Sequence, residues 1–474
     1  MKRLIIIALL LLTAATPDAQ FVIDKGVESR QIDDDRMTDA TYIGELDGQT
    51  LWVSQARNGW QIIGANHAME PTRTQGLKTN ADEMLAATHS GDTVMLVLAD
   101  HSHKHHSNLL VARCTAAGEW TVDTLQTLAH GKKDRCLLWG AVSPSGNRVA
   151  VCSIVEFTEK MQYSAFVTVL TADGFVDYRH EYPLGTMDQI RVTDDGRIAT
   201  LGTEQEGTTL HIIVNYADRD HAETNEVLVS CEPPRELKIA NILGNHLIAL
   251  GTVSGSGFRG AEEYCGGTIA FSYDLVGARM AGFTIRPFQN EDINILYNKP
   301  TKKMQRDLLC EHATPLAYTA LPYGAAIVLG RNFEKISLAD NGTEEHSFSR
   351  VGLHIVAVDT AANIVWSRNL RRNDWQKGNP DLLRVGVAAM GETLCIVKSE
   401  SRKMPATYEI GKDAKQLKMG DKNNIVLYSI APDGEVHKDI LEAKSKHSLL
   451  HLTPQCDIVT VRGSRLRHIK LSRQ

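Results

Sequence analysis

The sequence lacks the features that mark membrane-spanning and nucleic-acid-binding proteins. Beyond the first dozen residues no stretch reaches the roughly 18 consecutive apolar residues that would indicate a spanning helix. Its 51 Lys and Arg are outnumbered by 57 Asp and Glu, so there is no basic excess toward nucleic acid. With 43% hydrophobic and 23% charged residues, the composition is that of an ordinary globular protein. We therefore expect no transmembrane segment and no nucleic-acid partner.

Cysteine is also scarce, and no Cys-x-x-Cys spacing occurs. This argues against a small disulfide scaffold and against a zinc site built on closely spaced ligands. Cys152 and Cys395 lie in apolar runs and are predicted to be buried free thiols. For the other six cysteines the sequence leaves one or two disulfides as an alternative. The eight positions are Cys114, Cys136, Cys152, Cys231, Cys265, Cys310, Cys395 and Cys456.

The first 19 residues have the order of a secretory signal peptide. Lys2 and Arg3 precede an apolar run at 4–12, and small residues follow at 13–15. A run of this length is too short to span a bilayer, although a short membrane anchor is the alternative. We predict cleavage between Ala19 and Gln20, and a soluble periplasmic or extracellular protein.

A four-strand unit repeats along the chain. In residues 137–182, two apolar stretches flank a Ser-Pro-Ser-Gly-Asn turn, and a third stretch leads through Asp173-Gly174 into a polar fourth. We label these strands A to D. The A–B turn recurs at residues 47–48, 91–92, 145–146, 195–196, 244–245, 323–324, 391–392 and 455–456. The C–D turn recurs at residues 117–118, 173–174, 217–218, 276–277, 362–363 and 433–434.

Four strands in each period of roughly 50 residues predict a β-propeller. Eight A–B turns favour eight blades, with seven as the alternative, and residues 20–474 are assigned to one propeller domain. The alternative fold is two or three antiparallel β-sandwiches in series. The last unit has only three strands, and residues 21–32 are predicted to supply the fourth and close the ring.

The turns Ser143-Pro-Ser-Gly and Ala431-Pro-Asp-Gly resemble those of WD40-like propellers. The segment Val356-Ala-Val-Asp followed by Val365-Trp366 is similar to a quinoprotein-like blade. The resemblance covers most of the chain at superfamily level, and it implies the propeller fold. The Gly-His and Trp-Asp signature of true WD40 repeats is missing, and only one blade has the quinoprotein-type Trp. No specific family and no cofactor follow.

Long connections are predicted at residues 254–267, 286–315, 331–350 and 400–423. All four belong to the B–C and D–A face, where variable loops on a rigid scaffold are typical of binding sites. Tolerated surface insertions are the alternative interpretation. The candidate binding residues are Phe258, Arg259, Glu262, Glu263, Tyr264, Arg286, Lys403 and Lys412.

A histidine-rich loop follows the predicted B strand of the second unit. His101, His103, His105 and His106 offer nitrogen ligands for zinc, copper or nickel. The alternative is a polar loop that binds such metals adventitiously.

Catalytic signatures are missing from the sequence: there is no Gly-x-Ser-x-Gly and no His-Glu-x-x-His. We therefore favour an exported, monomeric, non-catalytic propeller that binds a protein or a glycan through its B–C and D–A face. The alternative is a hydrolase or lyase of extracellular polysaccharide. Its acidic residues would come from Glu262, Glu263, Asp292, Glu344 and Glu345.

Overall fold

A computed structural model of the chain consists of antiparallel β-sheets with two short helices. The described residues are 21–25, 40–66, 69–158, 162–182, 189–255, 264–297, 300–338, 344–377, 383–403, 417–419, 422–453, 456–462 and 465–473. In them, 34 strands form eight sheets. Neither helix in this part of the chain has the length and apolar character to cross a membrane. The predicted signal peptide lies outside the described residues.

Each of the first four blades contains four strands that pair in chain order. Strands are numbered along the chain, and β1 (Phe21–Lys25) belongs to the last blade. Blades 1 and 2 contain β2 (Thr41–Leu46), β3 (Gln49–Ala56), β4 (Gly59–Ala65), β5 (Pro71–Lys78), β6 (Glu83–Ser90), β7 (Thr93–Asp100), β8 (His106–Cys114) and β9 (Trp120–Ala129). Blades 3 and 4 contain β10 (Arg135–Val142), β11 (Arg148–Phe157), β12 (Gln162–Thr171), β13 (Val176–Tyr182), β14 (Gln189–Val192), β15 (Ile198–Glu206), β16 (Thr209–Ala217) and β17 (Ala222–Ser230).

The other four blades include the insertions. Blade 5 contains β18 (Pro234–Leu243), β19 (His246–Ser254), β20 (Tyr264–Asp274) and β21 (Arg279–Pro287), and the connection to blade 6 contains α1 (Asn290–Leu296), α2 (Lys302–Asp307) and β22 (Cys310–Glu311). Blade 6 contains β23 (Thr314–Leu321), β24 (Gly324–Leu338), β25 (Glu344–Asp359) and β26 (Ile364–Lys377). Blades 7 and 8 contain β27 (Val385–Met390), β28 (Thr393–Glu400), β30 (Asn423–Ile430), β31 (Val436–Ser445), β32 (Ser448–Leu452), β33 (Ile458–Arg462) and β34 (Arg465–Arg473). Strand β29 (Leu417–Lys418) lies between β28 and β30 in the chain but pairs with the sheet of blade 6.

The eight sheets form a closed ring, since an apolar cluster fills each of the eight junctions between neighbouring blades. The cluster between blades 8 and 1 joins Val459 to the buried Trp52 and Ile63. The Trp52 ring also lies 5.3 Å from the His451 ring of blade 8. The protein is therefore an eight-bladed β-propeller.

Strand β1 closes the ring, as the sequence predicted. It pairs antiparallel with β34, from Phe21 opposite Arg473 to Lys25 opposite Ile469. The sheet of blade 8 consequently runs β1-β34-β33-β32, so its outer strand comes from the start of the described chain and its other three from the end. This pairing covers the edge that β34 would otherwise expose.

The tight turns and buried strands follow from local sequence. Seven of the eight predicted A–B turns lie wholly within the described residues, and each joins an A strand to a B strand; residue 455 of the eighth lies outside them. At the first, Asp47 and Gly48 have φ of 51° and 73°, which a two-residue hairpin turn requires and which glycine adopts without strain. B strands such as β7 and β28 are buried along almost their whole length because both faces meet a neighbouring blade.

The long connections contain more regular structure than the sequence indicated. Residues 331–350 were predicted to be a loop, but β24 and β25 pair through most of this segment, from Asn332 opposite Arg350 to Leu338 opposite Glu344. Residues 286–315 contain α1, α2 and β22, and residues 400–423 contain β29. The 331–350 prediction was wrong because an exposed hairpin needs no buried apolar face, so its sequence is as polar as that of a loop.

We expect Ile23→Pro to open the ring. Proline fixes φ near about −65°, far from the roughly −140° of an antiparallel strand, so it distorts the β1–β34 ladder. Thermal unfolding should show a lower Tm and gel filtration should show aggregates from the exposed edge, whereas Ile23→Val should behave as the wild type. An unchanged Tm for Ile23→Pro would contradict closure by β1.

Candidate functional site

The insertions of blades 5, 6 and 7 meet on the B–C and D–A face. We call the result the insertion surface: the arm formed by β24, β25 and β26 within residues 331–377, together with α1, α2, β22 and β29. In blade 1, by contrast, only residues 57 and 58 separate strands B and C. The insertions therefore enlarge one side of an otherwise compact ring.

Helix α1 rests directly on blade 6. A Cβ atom added to Gly352 would lie 2.3 Å from the Ile295 carbonyl oxygen, so the helix backbone approaches β25 at a position where only glycine fits. Phe288, Ile293 and Leu296 are fully buried in the apolar cluster between blades 5 and 6. The helix is thus part of the core.

A buried polar network fixes α1 to the sheets below it. Arg286 Nη1 donates to Asp292 Oδ2 at 2.7 Å and lies 3.1 Å from His354 Nε2. His354 Nδ1 is 2.7 Å from Asn369 Oδ1, and Asn369 Nδ2 donates to Asp292 Oδ1 at 2.8 Å. These contacts fit a His354 ring whose Nδ1 donates to Asn369 Oδ1 and whose Nε2 accepts from Arg286. The network joins blade 5, α1 and blade 6.

Asp292 is ionised in this network. His354 Nδ1 also lies 3.2 Å from Asp292 Oδ1. Burial raises the pKa of Asp292, but its contacts with His354, Arg286 and Asn369 outweigh burial and hold the pKa well below its usual range. The Asp292 side chain is 2% exposed and that of Arg286 18%. Arg286 therefore positions the helix, and its predicted role in binding stays a prediction.

Arg331 joins the base of the arm to β22. Its Nε donates to the Glu311 carbonyl oxygen at 3.1 Å, and its guanidinium carbon lies 4.0 Å from the centre of the Tyr297 ring. Strand β22 in turn pairs with the first residues of β20, where Tyr264 lies opposite Glu311. The blade 5 and blade 6 insertions are therefore continuous.

The blade 7 insertion begins at a buried charge cluster. Glu400 Oε1 is 2.7 Å from Lys398 Nζ, and Glu400 Oε2 is 2.6 Å from Lys438 Nζ. Tyr428 Oη donates to Glu400 Oε1 at 2.6 Å. Burial raises the pKa of Glu400, but the two ammonium groups outweigh it and lower the pKa to about 2. Beyond this cluster, β29 pairs in parallel with β26 and joins the insertion to the arm.

The predicted binding residues divide into two groups. Tyr264, Arg286 and Lys403 are described: Tyr264 is half-buried beside β22, Arg286 is in the polar network, and Lys403 is exposed. The others lie outside the described residues, namely Phe258, Arg259, Glu262, Glu263 and Lys412.

The histidine loop connects β7 and β8 in blade 2. His101 Nδ1 is 2.9 Å from Ser107 Oγ, and His103 Nε2 is 3.6 Å from Asp100 Oδ2. The rings of His103 and His106 stack with centroids 4.3 Å apart. These contacts account for three of the four predicted metal-binding histidines, and metal binding here stays a prediction.

A cavity of about 860 Å³ opens on the inner side of the ring. It is lined by the inner strands β2, β6 and β10 of blades 1 to 3 and by Asp457, Lys470 and Leu471 of blade 8. It also reaches the A–B turn of blade 3 at residues 143–146, so it extends toward the face opposite the insertion surface. A cavity of this size with a few polar groups fits a small ligand.

Three potential metal ligands lie together at the blade 8 end of this cavity. Side-chain ligand atoms of Glu45, Asp457 and His468 all lie within 4.8 Å of one another, and no other such group occurs among the described residues. Asp457 and His468 are each 3% exposed. Lys470 Nζ lies 3.6 Å from Glu45 Oε2. Carboxylate and imidazole together suit a divalent transition metal.

Sequence reasoning missed this group because its members are far apart in the chain. Glu45 is on β2, whereas Asp457 and His468 belong to blade 8, and only ring closure brings them together. Tyr42 lies beside them, and its buried hydroxyl has no hydrogen-bond partner in the described part of the chain. Burial and the charges of Glu45 and Asp457 raise the pKa of Tyr42.

No family model and no curated protein matches the chain. Several solved propellers have a similar fold. The Dos1 propeller is 7% identical, with 94% of this chain and 95% of that chain covered and a TM-score of 0.45. The propeller domain of the Trilobed protease from Pyrococcus furiosus is 9% identical, with 86% and 97% covered and a TM-score of 0.34. Prolyl oligopeptidase B from Galerina marginata is 9% identical, with 90% and 51% covered and a TM-score of 0.38. At these values the likeness supports no functional argument, and the propeller assignment rests on strand order and ring closure.

We expect Asp292→Asn to destabilise the protein by about 3 kcal/mol at pH 7, because it leaves Arg286 without its buried counter-charge. The folded-state pKa of Asp292 is depressed, so its stabilisation is complete above about pH 4, the unfolded value, and is lost as pH falls through the folded pKa. The difference in free energy of unfolding between Asp292→Asn and the wild type, measured by urea unfolding, should therefore become smaller at low pH. The exposed Glu291→Gln is the control, and equal effects of the two changes would contradict the network's role.

Proposed function

We propose that the protein is an exported, non-catalytic propeller that binds a protein partner through the insertion surface. The observation that carries this proposal is that insertions from three consecutive blades are joined into one continuous structure on one face. Binding residues are typically found on such additions to a rigid scaffold. The predicted signal peptide supports export.

The rigidity of the insertion surface supports binding. Its base is held by the buried Arg286–Asp292 pair and by Arg331, so a partner would meet a preformed surface. A preformed surface loses little conformational entropy on binding, which favours affinity. Unstructured decoration would need none of these buried contacts.

A protein partner is favoured over a glycan by the exposed side chains. On the arm, Ile336 is 56% exposed among charged neighbours that include Glu334 and Lys335. Sugars are commonly recognised by stacking on exposed aromatic rings. Among the described large hydrophobic side chains, the exposed aromatic is Phe175, at a C–D turn on the opposite face.

The hydrolase or lyase alternative receives less support from the described carboxylates. Asp292 is enclosed in its polar network, and on the arm Glu345 pairs with Lys377 while Glu344 lies 3.8 Å from His346 Nε2. These groups are therefore divided between an internal ion pair and exposed strand positions, rather than gathered in a pocket.

A binding comparison tests the proposal. The mature chain, the Ile336→Asp variant and the Phe175→Ser control are immobilised and exposed to extracytoplasmic protein from the source organism, and bound proteins are quantified by mass spectrometry. We expect a protein retained by wild type and Phe175→Ser to be reduced about tenfold by Ile336→Asp, since an aspartate at an interface centre costs about 1.4 kcal/mol or more. Equal retention by all three, or loss with Phe175→Ser alone, would contradict the insertion surface as the site.

Cation binding in the central cavity is a second candidate function. The observation that favours it is the Glu45, Asp457 and His468 group at the junction of blades 8 and 1. A divalent cation there would neutralise two neighbouring carboxylates and would link the closing blade to the first one. It would therefore bind the folded ring better than the unfolded chain and stabilise it.

Titration of the chelator-treated protein with Zn²⁺, Mn²⁺ or Ca²⁺ alone tests this candidate. We expect one ion to bind at a single site and to raise Tm, and Asp457→Asn and His468→Ala to weaken its binding at least about tenfold, equivalent to 1.4 kcal/mol. Asp173→Asn, an exposed carboxylate on a distant turn, should bind as the wild type. Absence of heat and of any Tm shift for all three ions would refute the site.

A further inference from the structure

The eight cysteines include two pairs that the fold brings into contact. Cys265 is the second residue of β20 and Cys310 the first of β22, and the two residues are direct partners in an antiparallel pair. Cys395 lies on β28 of blade 7, and Cys456 lies in the A–B turn of blade 8, where its N–H donates to the Thr453 carbonyl oxygen. All four residues are fully buried.

The geometry of the first pair suits a covalent bond. Directly opposed residues in antiparallel strands have Cα atoms about 4.5 or 5.5 Å apart, depending on their place in the hydrogen-bond pattern. A disulfide requires Cα atoms about 4.4–6.8 Å apart. Either position of the Cys265–Cys310 pair in the ladder therefore meets the Cα requirement. The two thiols, which donate to the Gly267 and Glu311 carbonyl oxygens, would turn toward each other to form the bond.

The second pair is joined by its thiols. A hydrogen bond with Cys395 lowers the pKa of the Cys456 thiol, and it outweighs burial and the charge of Asp457, which raise it. Both side chains belong to the apolar cluster between blades 7 and 8. The contact is thus across a blade junction, between segments that the sequence separates widely.

All eight cysteines are free thiols in this structure. We propose that Cys265–Cys310 and Cys395–Cys456 form disulfides in the exported protein, which replaces the sequence prediction of a free thiol for Cys395. Each bond forms by thiol–disulfide exchange with a small-molecule or protein disulfide: the two cysteine thiols lose two protons and two electrons, and the oxidant's disulfide is reduced to two thiols. The setting, an oxidising compartment, rests on the proposed export. No pairing is assigned to the remaining four cysteines; Cys114 Sγ donates to Gln75 Oε1 at 3.0 Å, and Cys136 contacts Ser107.

Each of the two bonds would cross-link segments that lie far apart in the sequence. The first attaches the helical insertion to the start of β20 and so stabilises the base of the insertion surface. The second attaches the closing blade to blade 7. Each closes a long stretch of chain, which is the case in which a cross-link most reduces the entropy of the unfolded state.

Peptide mapping tests the proposal directly. The mature chain is refolded in a glutathione redox buffer, and separately purified from the extracytoplasmic fraction of the expressing cells. Free thiols are alkylated before proteolysis without reduction. We expect peptides linked 265–310 and 395–456 and an intact mass about 4 Da below that of the reduced chain, as two bridges require. Alkylated Cys265, Cys310, Cys395 and Cys456 in the refolded protein would overturn the pairing.

The two preparations separate this inference from the proposed export. Linked peptides in the refolded protein but a reduced chain retained in the cytoplasm would support the pairing and contradict export. Reduced cysteines in a chain recovered outside the cytoplasm would overturn the proposal itself.

Stability provides a second readout. Reductant should lower the Tm of the wild type by several degrees, because it breaks both bridges. It should lower the Tm less in the double variants Cys265→Ala/Cys310→Ala and Cys395→Ala/Cys456→Ala, because each variant has only one bridge to lose. The control Cys136→Ala/Cys231→Ala changes two partly exposed cysteines and should respond as the wild type. An equal response of all four proteins would contradict the assigned bridges.

Discussion

The whole molecule depends on the pairing of β1 with β34. Every blade is stabilised by burial between two neighbours, so an open ring would expose the apolar faces of the first and last blades as well as the edge of β34. The Glu45, Asp457 and His468 group exists only because this pairing and the Trp52 cluster hold blades 8 and 1 together. The shape of the central cavity follows from the same closure.

The insertion surface depends on a different kind of interaction, the burial of paired charges. Both the Arg286–Asp292 pair and the Lys398–Glu400–Lys438 group remove ions from water, and each ion is compensated by a counter-charge and further hydrogen bonds. Such networks tolerate few alternative arrangements, because a displaced partner leaves an unpaired charge in the interior. They therefore specify where α1 and the blade 7 connection leave the ring. Apolar packing alone would specify these positions less strictly, because apolar contacts are not directional.

The repeating framework was predictable because its determinants are local. A turn such as Asp47-Gly48 requires left-handed backbone, which few residues adopt readily, and strands such as β28 are buried on both faces, which makes them continuously apolar. The arm at 331–350 was predicted to be a loop because its strands have no buried apolar face, so its sequence lacks the alternating apolar residues that indicate a strand. The role of Arg286 and the grouping of Glu45 with Asp457 and His468 could not be predicted, because their partners are distant in sequence.

The register of β1 on β34 also has a mechanical consequence. Phe21, the first residue of β1, lies opposite Arg473, the last residue of β34, so both strands leave the sheet at the same end. A force that pulls residues 21 and 473 apart would act across the ladder and would break its hydrogen bonds one pair at a time, as in a zipper, instead of shearing them together. The ring is therefore closed against thermal opening by its buried junctions, yet it would yield to a small tension applied between its two ends.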